Sequence, residues 1–489
     1  MRLSELLTVL PFYNTSAALD NLEISGVETD SRKVAEGNLF ICIQGFTVDG
    51  HDFIDQAANN GAHAVLAEKE VNASVPVIRI DDTSKALAML ASKFYDYPTR
   101  QFPLIGVTGT NGKTTITYLL ESIFQHYKRK TGIIGTIQMK IGNDAYPVHN
   151  TTPDALYLQK TFHEMNEHDV DTAIMEVSSH ALDMGRVHGC DFDIAVFTNL
   201  SQDHLDYHPD MNDYLHAKSL LFAQLGNTYN EGQKKFAVIN EDDPNSAFLI
   251  KSTAQHVLTY GCQSGAQVKA EDINLDVTKT TFTMHTPIGS VMINSSLIGK
   301  FNVYNMLAAS AAAISAGIPL EVIKEALEAM QGVSGRFEPV EGSHEFAAVV
   351  DYAHTPDSLE NVLQTIKGFA ENNVYVVVGC GGDRDKTKRP LMASVALQYA
   401  DQVIFTSDNP RTEDPQAILD DMTKGLNETH FSVIENRKDA IFHAISLAKK
   451  GDIILIAGKG HETYQDIGRA RYDFDDREVA KAAIQAKEN

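Results

Sequence analysis

The chain has 489 residues, 43% hydrophobic and 22% charged, with a formal net charge of −24 at pH 7. That length exceeds one hydrophobic core and predicts two to four domains, and the acidic balance excludes a nucleic-acid wrapper or an anionic membrane surface as main partner. Cys42, Cys190, Cys262 and Cys380 form no C-x-x-C pair, which excludes a disulfide framework or a cysteine zinc site and suits a reducing compartment.

The opening "MRLSELLTVL" is interrupted by Glu5 and reads as an amphipathic helix rather than a signal peptide. No apolar run approaches the ~20 residues that cross a bilayer, so the expected location is the cytoplasm. Residues 1–99 mix the short strands "NLFICIQG", "HAVLAEK" and "VPVIRIDD" with short helices, ending on "KALAMLASKFYDYP". Pro98 and Pro103 bracket "PTRQFP", which reads as a polar linker. Residues 100–333 begin with the strand "PLIGVTG", a glycine-rich loop and the helix "TTITYLLESIFQHY". The strands "TAIMEVSS", "DIAVFTNL" and "KFAVIN" follow. Such alternation predicts a mainly parallel sheet covered by helices. Around 255–300 several short alternating runs suggest an added β-rich piece, and "NVYNMLAASAAAISAG" reads as a packed alanine-rich helix.

In residues 334–489 the alternation restarts with "NVYVVVG", "PLMASVALQYA", "DQVIFTSD", "PQAILDDMTKGL", "HFSVIE", "KDAIFHAISLAKK" and "DIILIAG". The expected fold class is α/β in three domains. These are a small α/β N-terminal domain, a central phosphate-loop ATPase-like parallel sheet and a C-terminal Rossmann-like domain.

Ligands of open parallel sheets sit beyond the carboxyl ends of the strands, so the loops there carry the chemistry. "TGTNGKTT" departs from G-x-x-x-x-G-K-[ST], because Val107 stands at the first glycine. Gly109 and Gly112 still let backbone N–H groups converge, and the helix from Lys113 adds its N-terminal dipole. Lys113 offers a charge for terminal phosphates and Thr114 a hydroxyl for Mg²⁺. The place between strand and helix favours a nucleotide site over a solvated turn. Mg²⁺ takes oxygen ligands and an occasional imidazole. Glu176 closes "AIMEVSS", where such a protein puts its metal carboxylate; His204 after the next strand is either a ligand or a hydrogen-bonded neighbour of Asp203.

In the last region Arg384 ("GGDRDK") and Arg411 ("DNPR") offer planar forks for carboxylates. Glu462 ("GKGHE") offers an acceptor for an ammonium. These are either surface salt bridges or, as three neighbouring loops favour, a pocket for an amino acid with more than one carboxylate.

In order and spacing, "TGTNGKTT", "EVSSHAL", "TNLSQDHLDYH", "GKFNVYNMLAA", "DYAHTPDSL" and "GCGGDRDKTKRP" resemble the Mur ligases, ATP-dependent amino-acid ligases of peptidoglycan precursor synthesis. The resemblance spans essentially the whole chain, and the family's T-G-T-x-G-K-[ST] loop accounts for Val107. It implies ATP on Gly109, Thr110, Asn111, Gly112, Lys113, Thr114 and Thr115, with Asn302, Asn305, Arg336 and Asp351 framing adenine, ribose and phosphates. It implies that Asp30-Ser31-Arg32, Ser31 foremost, meets the uridine end of a UDP-sugar. Thr151, Thr152, Ser178 and Arg186 would hold a muramoyl-dipeptide, and Met184 is left out of that set.

The resemblance also implies Mg²⁺ on Thr114, Glu176, His204 and Lys218, the lysine as an N-carboxylated side chain with an anionic oxygen. Without the resemblance Lys218 reads as a solvated helix residue. Lys113, Glu176, His204 and Lys218 are then the catalytic set. Arg384, Asp408, Asn409, Pro410, Arg411, Gly458 and Glu462 would bind the amino acid, in the branch that adds meso-diaminopimelate. Its second carboxylate needs a cation, which Arg411 supplies.

The implied substrates are ATP, UDP-N-acetylmuramoyl-L-Ala-D-Glu and meso-diaminopimelate, joined through an acyl phosphate. No nucleic acid, no membrane insertion and a monomer are expected. One rival is a sister ligase that adds L-lysine, or a folylpolyglutamate-type ligase; "DNPR" and "TDSR" speak against both. The other is a phosphate-loop switch or motor, against which the charge of −24 argues.

Overall fold

Short apolar runs in the first hundred residues form a four-stranded, all-parallel sheet: β1 (Gly26–Glu28), β2 (Asn38–Ile41), β3 (Ala62–Ala67) and β4 (Val77–Arg79), in that order. The pleat sends alternate residues of β2 to opposite faces. Leu39 and Ile41 pack with Leu87 and Leu90 of the helix Thr83–Phe94, while Phe40 packs with Ile54 and Ala57 on the other face. This computed structural model describes residues 1–15, 17–45, 48–148, 150–229, 234–263, 265–276, 279–342, 345–426 and 430–488. The expected polar linker is not free. Pro98 and Thr99 are buried; Pro98 O accepts from Asn166 Nδ2 (3.0 Å) and Thr99 Oγ1 from the Asp191 N–H (3.0 Å), which seats the first unit on the second.

The second unit is one sheet of eleven strands. In chain order they are β5 (Leu104–Thr108), β6 (Thr131–Ile134), β7 (Met139–Ile141), β8 (Asp144–Tyr146), β9 (Thr172–Glu176) and β10 (Ile194–Phe197). Then come β11 (Phe236–Asn240), β12 (His256–Gly261), β13 (Val268–Leu275), β14 (Thr280–Thr286) and β15 (Gly289–Ser295). The sheet order is β15-β14-β13-β12-β11-β10-β5-β9-β6-β7-β8. Its middle, β12 to β6, is parallel, and β5, β9 and β10 are buried throughout, as strands covered on both faces must be. The added β-rich piece is the antiparallel run β13–β14–β15 on one edge of this sheet. The alanine-rich helix Lys300–Ser315 is almost wholly buried, its small side chains lying close to the helix Lys113–His126. Because β5 lies between β9 and β10, its carboxyl end is where the strand order reverses, the usual ligand crevice of such sheets.

The third sheet holds β16 (Glu338–Pro339), β17 (Ala347–Asp351), β18 (Val374–Val378), β19 (Gln402–Phe405), β20 (Phe431–Val433) and β21 (Ile453–Ala457), ordered β16-β17-β21-β18-β19-β20. Only β16 is antiparallel. The sequence reading omits β17, although "AAVVD" carries four apolar residues before Asp351 and pairs along its length with β21. A hairpin, β22 (Tyr464–Ile467) and β23 (Ala470–Asp473), follows. Among the described residues no helix is long and apolar enough to cross a membrane.

Arg437 and Asp476 tie two helix starts of this third unit together with no exposed side-chain surface. Nε and Nη2 of the arginine donate to the two carboxylate oxygens at 2.8 and 2.6 Å. Removing one partner of a buried pair strands a charge. Asp476→Ala is therefore expected to cost about 3–5 kcal/mol of stability, read as a lower urea midpoint for this unit.

Candidate active site

Val107 lies inside β5, buried and paired with Glu176 of β9 and Val196 of β10, so the phosphate loop begins two residues later, at Gly109. Gly109 and Gly112 take φ of +143° and +87°. A Cβ on them would meet Thr198 Oγ1 at 1.8 Å and Asn305 Oδ1 at 2.5 Å, so only glycine fits. The loop after β10 holds the turn from one side. The Thr110 N–H donates to Asn199 O (2.9 Å), the Asn111 N–H to Asn199 Oδ1 (2.9 Å), and Thr198 Oγ1 to Asn111 O (2.6 Å).

Two lysines converge on this loop. Lys113 Nζ donates to Gly109 O (2.9 Å) and Thr110 O (2.8 Å), and Lys218 Nζ donates to the same Gly109 O at 2.8 Å. Lys218 is 1% exposed, which corrects the solvated-helix alternative, and its ammonium lies 4.3 Å from the Tyr214 ring centroid. Burial, and then the Lys113 ammonium, hold its pKa well below the lysine range. Burial also lowers Lys113, against the pull of Glu176 and Asp203. Arg336 adds a third cation: Nη2 donates to Thr114 Oγ1 (3.0 Å) and the guanidinium lies over Tyr352 (4.3 Å). Its buried Nη1 has no partner among the described residues. Three cations beside a helix N-terminus form a receptor for a polyanion.

Glu176, buried at the end of β9, accepts from Thr114 Oγ1 (3.1 Å) and Thr136 Oγ1 (2.9 Å) on Oε2 and from the Thr136 N–H (2.8 Å) on Oε1. The sequence reading gives Thr136 no role; it also bonds Thr151 Oγ1 at 3.1 Å. Thr152 Oγ1 donates to Glu176 O (2.9 Å) and accepts from the Ser178 N–H (3.0 Å). Arg186 Nη1 donates to Thr152 O (3.2 Å), while Nη2 lies 3.3 Å from the sulfur of Met184. Ser178 caps the short helix Ser179–Asp183.

His204 sits at φ +57°, 3.4 Å from Asp203 and edge-on to His180 (4.8 Å between ring centres). Burial pushes its pKa down to about 3, which leaves a neutral imidazole with a free lone pair. No group of three or more His, Cys, Asp or Glu placed to hold a metal occurs among the described residues. The donors here are one carboxylate, one hydroxyl and one imidazole. That sparse set fits Mg²⁺, which keeps much of its shell in water and phosphate oxygens.

Asn302 and Asn305 are buried on the helix Lys300–Ser315, with Asn305 Nδ2 donating to Asn302 Oδ1 (3.1 Å). Asp351 ends β17 and accepts from the Phe337 N–H (2.6 Å); burial raises its pKa against the pull of Arg336. The third unit touches the phosphate loop directly, since Asp357 Oδ2 accepts from Asn111 Nδ2 (2.8 Å) and Ser201 Oγ (3.3 Å). Asp203 faces Lys388 (3.5 Å) and His354 (3.7 Å) of the same unit. Burial opposes its charge, but His354, Lys388 and His204 hold it well below the carboxylate range. The motif "DYAHTPDSL" contains His354 and Asp357, yet nothing in its local pattern signals a contact across two sheets.

One cavity of about 980 Å³ joins residues 109–115 to Thr151, Thr152, Glu176, Ser178 and Arg186. His204, Lys218, Asn305, Arg336, Asp351 and Arg384 line it too. Asn302 is not among the lining residues and is tied to the site through its bond from Asn305. Ser31 lines neither this cavity nor the second one; its hydroxyl donates to Gln56 Oε1 (2.8 Å) within the first unit.

The amino-acid set divides. Arg384 opens into the main cavity, whereas Arg411 lines a separate one of about 400 Å³. Glu462 is already engaged: its Oε2 accepts from Asn409 Nδ2 (2.9 Å) and from the buried Lys459 Nζ (2.9 Å), which also donates to Asn409 Oδ1 (2.9 Å). Asp408 lies 3.9 Å from Arg437; burial opposes its charge, but Lys459 and Arg437 prevail and lower its pKa. The Gly458 N–H donates to Asp351 O (3.0 Å), and Pro410 O accepts from the Glu413 N–H (3.0 Å).

Comparison with known proteins extends this geometry to the whole chain. Residues 107–313 match the Mur ligase middle domain, 335–460 the Mur ligase glutamate ligase domain, and 23–95 the catalytic domain of the Mur ligase family. A curated protein of Oceanobacillus iheyensis named UDP-N-acetylmuramoyl-L-alanyl-D-glutamate–2,6-diaminopimelate ligase is 62% identical over all of both chains. One of the same name from Listeria monocytogenes is 52% identical, over 100% of this chain and 99% of that one. A solved structure of a ligase of that name superposes with a TM-score of 0.70 at 36% identity, covering 99% of each chain. The chain belongs to the Mur ligase family.

Proposed function

We propose that this chain is the ATP-dependent ligase that joins meso-2,6-diaminopimelate to the γ-carboxylate of D-Glu in UDP-N-acetylmuramoyl-L-Ala-D-Glu, a cytoplasmic step of peptidoglycan precursor synthesis. The observation that carries the reading is the end-to-end identity with ligases of that name, which spans all three units that supply the site's side chains.

ATP would lie on Gly109–Thr115, its adenosine against Asn302, Asn305 and Asp351. Lys113, whose pKa burial lowers, and Arg336, whose buried Nη1 has no partner among the described residues, would face the phosphates. The γ-carboxylate of D-Glu, brought by the muramoyl-dipeptide on Thr151, Thr152, Ser178 and Arg186, attacks the γ-phosphorus. ADP departs and an acyl phosphate forms. The neutral amine of the acceptor then attacks the acyl carbon, phosphate leaves and the amine gives up its proton as the amide forms. Positioned cations stabilise the charge that builds on the transferred phosphoryl group.

Thr114, Glu176, His204 and Lys218 would hold Mg²⁺, which when bound supplies charge neutralisation at the phosphates. Lys218 suits N-carboxylation because its depressed pKa raises the neutral fraction able to attack CO₂. The product is an anionic oxygen donor and a released proton. The uridine end would rest on Ser31. Arg384, Asn409 and Glu462 would take the amino-acid end and Arg411 the distal carboxylate. The bond from Asn111 to Asp357 and the Asp203–Lys388 pair join the second and third units over the phosphate loop. Closure of this kind keeps water from an acyl phosphate.

Phosphate release is expected with ATP, Mg²⁺, the UDP-muramoyl-dipeptide and meso-diaminopimelate together, with little when L-lysine replaces diaminopimelate. Equal or greater turnover with L-lysine would contradict the acceptor assignment. Arg411→Ala, which leaves the distal carboxylate without its cation, should lower kcat/KM for diaminopimelate roughly 10- to 100-fold. The KM for ATP, measured in the same assay, should stay unchanged.

A further inference from the structure

The hairpin β22–β23 has no part in the chemistry described so far, yet it grips Arg411 by the backbone. The Arg411 N–H donates to Asp466 O (3.0 Å), and the Gly468 N–H donates to Arg411 O (2.6 Å). Arg411 and Ile467 pair as a parallel bridge. Between these bonds Arg411 takes φ +52°, a left-handed conformation that a non-glycine residue keeps only where its surroundings over-determine it. Arg411 Nη1 donates to Gly382 O at 2.6 Å.

The cavity of about 400 Å³ between this loop and the hairpin is lined by Arg411, Arg469, Arg471, Asp383 and Asp466 among others. Its charges do not cancel. Asp466 is spent on Arg471, which donates to it from Nε (2.8 Å) and Nη2 (3.2 Å) and stacks on Tyr464 (3.7 Å). Asp383 is capped by the Thr412 N–H (3.1 Å) and hydroxyl (2.9 Å). Among the described residues neither Arg411 nor Arg469 forms an ion pair. Three guanidiniums and two carboxylates leave this cavity one positive charge in excess, with Arg411 and Arg469 outside the ion pairs of the described residues, and planar forks of this kind suit a carboxylate.

We propose that Arg469, at the turn of the hairpin, is a second specificity residue, and that it and Arg411 hold the distal carboxylate of the acceptor amino acid from opposite walls. The hairpin sets the conformation of Arg411 and carries the second cation to it. This rests on the diaminopimelate reading above and extends it to a residue outside the "DNPR" loop.

Steady-state kinetics of the full chain with ATP, UDP-N-acetylmuramoyl-L-Ala-D-Glu and meso-diaminopimelate test it, comparing wild type, Arg469→Ala, Arg469→Lys, Arg411→Ala and the double alanine variant. Arg469→Ala should raise the KM for diaminopimelate about tenfold and leave kcat and the KM for ATP as in wild type. Arg469→Lys should recover part of the loss. The double variant should lose less than the product of the two single effects, because both residues act on one carboxylate. An unchanged diaminopimelate KM in Arg469→Ala, a parallel rise in the KM for ATP, or strictly multiplicative effects would each overturn the proposal and leave the ligase reading standing. A wild-type chain that releases phosphate with L-lysine but not with diaminopimelate would overturn both.

Discussion

Two ammonium groups, those of Lys113 and Lys218, share the carbonyl oxygen of Gly109 at 2.9 and 2.8 Å. Like charges that share one acceptor repel, and these two are drawn together in a largely desolvated place. The fold imposes the meeting: Lys113 opens the helix that follows β5, Lys218 lies inside the helix Met211–Ala223, and Thr198 leaves room only for glycine at 109. In the proposed reaction the conflict is resolved by anions. The triphosphate of ATP takes Lys113, and carboxylation turns Lys218 from a cation into an oxygen donor. The depressed pKa of Lys218 follows first from its burial and then from the Lys113 ammonium beside it.

The remaining architecture brings the other partners to this point. β5 lies between β9 and β10, so Glu176 and the Thr198–Asn199 loop flank the phosphate loop from the two neighbouring strand ends. The third unit meets it from outside through Asp357, Lys388 and His354, each bonded or paired to a residue of the second unit. A ligase that must shield an acyl phosphate while admitting an amine needs such a seam. Here the seam combines these polar contacts with an apolar one, where Phe301 of the second unit packs on Phe337 and the core of the third (6.2 Å between ring centres).

Much of this was legible in the residues. Strand–helix alternation marks the parallel sheets; Lys113 follows the loop after "PLIGVTG", and Glu176 closes the strand in "TAIMEVSS". Val107 looked like a defect in a phosphate loop, but it is a buried β5 residue. Local pattern failed wherever a role depends on what packs across the chain. Lys218 carries no mark of its role in "YLHAKSLLF", because the carbonyl that takes its ammonium is that of Gly109, in the distant loop after β5. Thr136 follows a four-residue strand whose pairing with β9 alone brings it to Glu176. Glu462 reads as an open acceptor until Lys459, three residues earlier, is seen on the same oxygen. Arg469 sits in a turn whose sequence gives no hint that it faces Arg411's cavity.

The most direct test of the central claim is ¹³C NMR of the protein equilibrated with ¹³C-labelled bicarbonate, comparing wild type with Lys218→Ala. The account predicts a carbamate carbonyl resonance in the wild type, its absence in the variant, and loss of diaminopimelate-dependent phosphate release with it. A fully active wild type with no carbamate resonance would contradict the account, leaving Lys218 as an ammonium that the site must neutralise in another way.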